Sequence, residues 1–452
     1  MAAFELGIIF SSMSIDVITL LLGLFSGKSN QYLYVPKRYG VSVIIPACNE
    51  ERSIRKCIEC AFDQTLPPRE VIVVDDASTD MTPYIVKDMQ KRYPNLVYIR
   101  QPENRGKARN INRVLLERDL PEIVLVLDAD TFLTKTYIEF ITRPFSDSKV
   151  AVVCSTGSVI SSGSRLGRFL DRGREYQFNV FLFRKRAQDM RNAISVISGD
   201  SAAYRTDYLR EIGGMPVGTQ TEDTDVTWTF IEKGYKVRFK TSAKTYYKDT
   251  ESVTGHFRQV LRWYCGICQC LFVHGRNIFR SKSLSFTTII PSLMDTFVYT
   301  PVFLLLPLLG FYYPYMALGF LLADFVFTLI FASLLYKPKY VAEIYFVKLL
   351  WGIAWVAAVF KTSAEYLLGR KHMWRGAWGL QTRGRKGKGD SVLKIGISAF
   401  FAAWLCLLAV FIALNIDLVA GPLFGGAGYV LMHWPEILAD TLLAAFHAWP
   451  AV

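Results

Sequence analysis

The sequence predicts an α/β domain, with a mostly parallel sheet and helices on both faces, joined to an α-helical transmembrane region. Three observations carry this expectation. Short β-branched runs alternate with helix-length segments between residues 41 and 155, the pattern of a sheet built from βαβ units. Polar residues stand at the carboxyl ends of several of those runs, where open α/β sheets bind ligands. Apolar runs long enough to cross a bilayer core of roughly 30 Å flank a stretch from Val41 to about Phe279 that has none.

The first apolar run, Phe4–Phe25, carries an acidic Glu5, lacks a basic start and meets no small-residue cleavage site before Lys28. It reads as a retained anchor, residues 1–27, rather than a secretory signal. Lys28, Lys37 and Arg38 follow it, and Arg276, Arg280 and Lys282 precede the next run. Positive-inside bias therefore places the intervening domain, residues 38–280, in the cytosol, with the N-terminus outside. Within it Val41–Pro46, Glu70–Asp75, Leu96–Gln101, Ile123–Asp128 and Val150–Ser155 read as strands. Residues 197–248 form a second polar cluster, and 252–275 an aromatic, partly amphipathic helix leading to the membrane. Residues 286–452 supply the runs Phe286–Gly310, Tyr315–Tyr336, Val392–Leu414 and Tyr429–Phe446. The remaining apolar stretch, Val341–Leu368, has basic flanks at Lys337, Lys339, Arg370 and Lys371, so it reads as an interfacial or re-entrant helix pair. Asp295 and Asp324 lie inside apolar runs, where an ionisable group faces a cavity or a partner helix.

The net charge of +13 does not argue for nucleic acid. Its densest cluster, Arg370, Lys371, Arg375, Arg383, Arg385, Lys386 and Lys388, lies between apolar runs, where anionic lipid or a nucleoside diphosphate is the expected partner. Cys57 with Cys60, and Cys265 with Cys268 and Cys270, have spacings that could hold zinc. Both groups fall in predicted helices of a cytosolic domain, so they read as reduced thiols packed as small hydrophobes.

The chemistry-bearing segments follow the strands. Asp75, Asp76 and Asp80 close the second strand with carboxylates able to accept from a uracil-type base. Asp128 and Asp130, separated by one residue, lie on the same side of an extended run and suit Mg²⁺ or Mn²⁺ bridging to a diphosphate. Lys107 opens a helix after Asn104, Arg105 and Gly106 and can reach the same phosphates. Glu222, Asp223 and Asp225 crowd a short segment before a helix; repulsion and burial raise at least one pKa, as a general base for a sugar hydroxyl needs. Gln259, Arg262 and Trp263 offer an amide, a planar cation and an indole, groups that bind phosphate and stack on sugars.

In chain order, Asp76, Asp128-x-Asp130, Thr-Glu-Asp223 and Gln259-x-x-Arg262-Trp263 resemble the D, DxD, TED, QxxRW series of processive family 2 glycosyltransferases, the cellulose, chitin, hyaluronan and poly-N-acetylglucosamine synthases. The resemblance covers roughly residues 41–276 and extends to the membrane layout. Pro46, Asn49 and Glu50 look like the family's opening strand, and Ser198, Gly199 and Asp200 like its acceptor-site loop. Trp378, Thr382 and Arg383 are similar to a Trp-Gly-Thr-Arg element of hyaluronan synthases that closes over bound nucleotide, here interrupted by Leu380 and Gln381.

What the resemblance implies is a GT-A type fold and an inverting hexosyltransferase. Pro46, Asn49, Glu50, Asp76, Lys107 and Asp128 would bind the nucleotide-sugar, and Asp130 with Asp128 would hold Mg²⁺ or Mn²⁺. Asp223, with Glu222 beside it, would be the catalytic base. Ser198, Gly199, Asp200, Gln259, Arg262 and Trp263 would meet the acceptor or product, and Trp378, Thr382 and Arg383 would gate. The Thr-Glu-Asp form of the base motif looks nearest to poly-N-acetylglucosamine and cellulose-type synthases and points to UDP-N-acetylglucosamine. The expected partners are a UDP-sugar, a growing polysaccharide and the bilayer of the cell membrane, with room for accessory subunits. Two alternatives stand: a non-processive transferase adding one sugar to a polyprenyl phosphate or glycolipid, and an inactive transferase fold serving as a polysaccharide transporter or binding subunit.

Overall fold

A computed structural model describes residues 38–278 and 314–367, all within one compact unit. The expected anchor (residues 1–27), the apolar runs at 286–310, 392–414 and 429–446, Asp295, and Trp378, Thr382 and Arg383 lie outside the described residues.

The first half builds as the alternation predicts: β1 (Val41–Ala47), α1 (Ile54–Phe62), β2 (Glu70–Asp75), α2 (Thr82–Gln90), β3 (Leu96–Arg100), α3 (Lys107–Glu117) and β4 (Ile123–Leu127). β3, β2, β1 and β4 are consecutive parallel neighbours. Both faces are covered, so the strands are mainly apolar. Val43, Ile45, Leu125 and Leu127 pack under α1 and α2, while Ile44, Val124 and Val126 pack under α3, as side chains alternating across a strand must. Pro46 lies in an interior strand, but the pairing of β1 with β4 ends two residues earlier, at Ile44.

Beyond β4 the sheet departs from the expectation of a mostly parallel arrangement. β5 (Thr131–Leu133), α4 (Tyr137–Thr142), β6 (Val150–Val159), α5 (Arg165–Asp189), β7 (Ser201–Arg205), α6 (Thr206–Glu211), α7 (Glu222–Glu232) and β8 (Lys236–Tyr247) complete it. The order is β3-β2-β1-β4-β7-β6-β8-β5. β7 runs antiparallel to β4 and β6, β5 antiparallel to β8, and β6 parallel to β8, so the sheet is mixed. β7 and β8 arise in the stretch read from sequence only as a polar cluster. In β8 buried Val237, Phe239, Ala243 and Thr245 alternate with polar residues.

The chain then forms α8 (Val253–Ile278), α9 (Pro314–Leu335) and α10 (Val341–Leu367). Residues 341–367 are thus one continuous helix rather than the expected helix pair. No proline breaks the segment, and a methyl added at its one glycine, Gly352, would meet nothing within 4 Å. Among the described residues, 338–365 are long and apolar enough to cross a membrane. α10 packs on α5 and α8 through Leu170, Val260, Val347, Trp351 and Ala354. Gly173 of α5 permits the approach: a methyl there would stand 2.4 Å from Val347. Asp324 of α9 is ion-paired with Lys348 of α10, which answers the expectation that it faces a cavity or a helix partner. The cysteines expected to pack as thiols lie in α1 and α8, and those at 57, 265, 268 and 270 are buried and free.

Candidate active site

The site is assembled from the carboxyl ends of β1, β2 and β4, the start of α3, the loop before β7 and the start of α7. Asn49 adopts a left-handed backbone, φ 58°, which its short polar side chain tolerates, and its Oδ1 accepts from the Thr79 amide at 2.8 Å. Glu50 accepts from Ser53 Oγ at 2.5 Å; burial and the nearby Asp128 and Asp80 push its carboxyl up. Asp76, only 4% exposed, accepts from the amides of Arg105 and Gly106 at 2.7 and 2.8 Å. It therefore holds the turn that leads into α3, and each of its oxygens keeps a second lone pair for a base.

Lys107, the first residue of α3, ties three motifs together. Its Nζ donates to Asp128 at 2.5 Å and to the Gly199 carbonyl at 2.6 Å, and lies 3.5 Å from Glu222. Burial alone would weaken its charge, but Asp128 and Glu222 outweigh that and hold the ammonium well above its ordinary range. Asp128 is further fixed by its amide, which donates to the Asp200 carbonyl at 2.8 Å.

Asp130 is pushed up to about 7 by burial first and then by the carboxylates of Asp128, Glu50 and Asp200. This concentration of hard oxygen donors with excess negative charge fits a divalent cation. Among the described residues no group of three or more His, Cys, Asp or Glu side chains forms a metal cage. Two carboxylates that leave the other positions to water and phosphate is the pattern of Mg²⁺ and Mn²⁺ sites.

Asp223 sits in the first turn of α7, where acidic groups complement the helix dipole. Its Oδ1 accepts from the Thr224 amide at 2.7 Å. Burial and then Glu222 raise its carboxyl to about 6, against opposing pulls from Lys107 and Arg262. Gly199 abuts it: a methyl there would lie 2.6 Å from Asp223 Oδ2 and 3.2 Å from Cγ. Gly199→Ala should therefore displace the carboxylate and lower kcat about 100-fold, the scale of a 1 Å misplacement, without a fall in thermal stability. Steady-state kinetics beside a melting curve measure both, and an unchanged kcat would remove Asp223 from the chemistry. Of the other loop residues, Ser198 accepts from Lys185 at 2.9 Å. Asp200 holds one oxygen 3.4 Å from Thr245 Oγ1, while its Oδ1 is buried without a hydrogen bond.

The residues at 259–263 are more committed than their sequence suggests. Gln259 Oε1 accepts from Arg174 at 2.7 Å, and Trp263 lies under the same guanidinium, 5.2 Å from ring to cation, edge-on to Trp351. Arg262 is exposed and reaches the Gln220 carbonyl at 3.4 Å. Sequence reasoning missed the groups that organise this region. Arg174 is ion-paired with Asp249, both nearly fully buried, and meets His256, which accepts from Trp351 at 2.9 Å. Burial and Arg174 hold His256 down at about 3. It also missed His274, which pairs with Asp225 and Glu232.

Residues 42–213 match the family model for glycosyl transferase family 2; the chain carries a family 2 glycosyltransferase domain. The fold is of the GT-A type: a mannosyltransferase from Pyrobaculum calidifontis, solved with GDP-Man and Mn²⁺, superposes with a TM-score of 0.62 at 20% identity, over 80% of this chain and 98% of that one. Among curated proteins, the poly-beta-1,6-N-acetyl-D-glucosamine synthase of Staphylococcus epidermidis is 25% identical over 247 residues, 54% of this chain and 59% of that protein. The synthase of Staphylococcus aureus is 24% identical over 228 residues, 50% and 54% respectively. The chain thus spans less than two thirds of the length of these relatives.

Proposed function

We propose that the protein is a membrane-embedded, metal-dependent, inverting glycosyltransferase that polymerises a β-linked polysaccharide from a UDP-sugar, UDP-N-acetylglucosamine in the first instance. The observation that carries this reading is the convergence of Asp128, Gly199 and Glu222 on Lys107 with Asp223 poised next to Gly199. Donor-phosphate, acceptor and base motifs meet at one place.

Asn49, Glu50 and Asp76 hold the nucleoside end of the donor and Lys107 faces its diphosphate. A divalent cation on Asp128 and Asp130, which the Mn²⁺ in the mannosyltransferase neighbour supports, would neutralise the leaving nucleotide. Asp223 accepts the proton of the acceptor hydroxyl as that oxygen bonds to the anomeric carbon from the face opposite the departing UDP. The bond from carbon to the diphosphate oxygen breaks, giving inversion from an α-linked donor. The loop at Ser198–Asp200 and the residues Gln259, Arg262 and Trp263 border the acceptor side, the last three held in place by Arg174 and Gln220.

Exposed Leu322, Val326, Leu329, Ile330 and Leu334 on α9 form an apolar face suited to lipid, and residues 338–365 suit a span. Residues 1–27 and 286–452 would then be membrane segments, with residues 38–280 in the cytosol and the product led across the bilayer.

Donor turnover by the purified protein tests the reading. UDP-N-acetylglucosamine should be consumed in preference to UDP-glucose, activity should vanish with EDTA and return with Mn²⁺ or Mg²⁺. Turnover that survives complete chelation would contradict metal dependence; no turnover of any donor would contradict the enzyme.

A further inference from the structure

His274 lies near the end of α8, about fifty residues from the acidic turn that the proposed mechanism uses, and sequence gives it no role. Its side chain is only 5% exposed. Nε2 lies 3.0 Å from Asp225 Oδ1 and Nδ1 2.9 Å from Glu232 Oε1. Ionised carboxylates only accept, so an imidazole bonded to one through each nitrogen carries a proton on both. Asp225, Trp228 and Glu232 fall at i, i+3 and i+7 on one face of α7, and the Trp228 ring stands edge-on to His274 at 5.5 Å.

The same face of α8 grips the turn just before α7. A methyl at Gly266 would lie 2.3 Å from Thr221 Oγ1, Gln269 Oε1 accepts from the Gln220 amide at 2.9 Å, and Cys270 Sγ sits 3.8 Å from Thr221 Oγ1. Asp225 is held from its other side by Thr219 Oγ1 at 3.0 Å. The segment that carries Glu222 and Asp223 is therefore fixed along α8, the helix that also carries Gln259, Arg262 and Trp263.

We propose that His274 is a positioning residue for sugar transfer: as a doubly donating imidazolium it clamps α7 to α8 and sets where Asp223 stands relative to the acceptor elements of α8. This rests on the glycosyltransferase reading for its catalytic consequence, though the clamp itself does not. The charged groups that face the ring are Asp225 and Glu232 of α7; Cys270, one turn earlier on α8, is kept a neutral thiol by burial and by Asp225. Burial works against the imidazolium, but the two carboxylates outweigh it and raise the ring to about 9. A histidine raised in the folded state stabilises fully below its unfolded pKa, near 6.5, and that contribution is lost as pH rises through about 9. The clamp thus holds at neutral pH and loosens in alkali.

The test compares His274→Ala, His274→Gln and His274→Lys with the wild type as full-length protein in nanodiscs, by hydrogen exchange and by kcat and KM for the donor between pH 6 and 10. In His274→Ala, amides of residues 221–227 should exchange about tenfold faster while β1–β4 are unchanged, the signature of a local opening. Its kcat should fall roughly 10- to 100-fold with donor KM within about twofold, because orientation is lost and donor contacts are not. Lysine can serve both carboxylates, so His274→Lys should restore exchange protection and kcat to within about threefold and move the alkaline limb above pH 9; glutamine, with one donor group and no charge, should fall between. Unchanged exchange at 221–227 in His274→Ala overturns the clamp. Faster exchange with unaltered kcat, or a Lys variant no better than Ala, overturns the positioning role. If the wild type turns over no donor, the functional reading fails and exchange alone decides the clamp.

Discussion

Asp223→Asn should lower sugar transfer about 10²–10⁴-fold while UDP binding and folding persist. The carboxylate stands in the first turn of α7, raised to about 6 by burial and Glu222, and its Oδ2 lies against Gly199, where a methyl would stand 2.6 Å away. Asparagine keeps the shape and the bond from the Thr224 amide but cannot take a proton. Loss of general-base help costs about 10²–10⁴-fold, and the residual rate should no longer depend on pH near 6. In the wild type, kcat/KM should rise with pH through about 6, because only the ionised base accepts the hydroxyl proton. The sign for stability is opposite. A carboxyl raised in the folded state is penalised when ionised, so replacing it with a neutral amide should leave the melting temperature at neutral pH unchanged or higher. Loss of UDP binding together with activity would show instead that Asp223 belongs to the donor site.

Lys107→Met should produce the second large loss, and by a different route. The ammonium is the shared cation of Asp128 and Glu222 and donates to the Gly199 carbonyl. Without it Asp128, Glu222 and Asp223 are left facing one another. Breaking this partly exposed pair should cost about 2 kcal/mol, less than the roughly 3–5 kcal/mol of a fully buried one. Because Lys107 draws the Asp223 carboxyl down, its removal should move the acid limb of the rate profile above pH 6. Donor KM should rise as phosphate loses a charge partner, with kcat/KM down about 10²–10³-fold. A variant with normal donor KM and an unmoved acid limb would remove Lys107 from both the phosphate and the base.

Much of this was legible in the sequence because the signals are local. The five predicted strands begin where expected, since each is a short run rich in β-branched and other apolar residues, most fully buried in β4. β7 and β8 were not legible. β8 carries Lys236, Arg238, Lys240 and Lys244 between its buried residues, and that mixture looks like a solvated segment until a sheet is present to bury one side. The continuous α10 was misjudged because basic flanks speak of topology and not of helix continuity. Within the site, Asp128, Asp130, Asp223 and Lys107 stand out by spacing, and the structure brings Lys107 against Asp128 and Glu222. The partners that fix their surroundings were not: Arg174 meets His256 and Gln259 across 82 and 85 residues, and His274 meets Asp225 across 49. Only folding brings such pairs together.

Polymerisation is measured most directly by product length. Purified protein in nanodiscs, supplied with radiolabelled UDP-N-acetylglucosamine and Mn²⁺, should yield a size-fractionated product of many sugars that a β-specific hexosaminidase degrades and that Asp223→Asn does not make. A single labelled sugar on a polyprenyl phosphate or glycolipid would contradict it.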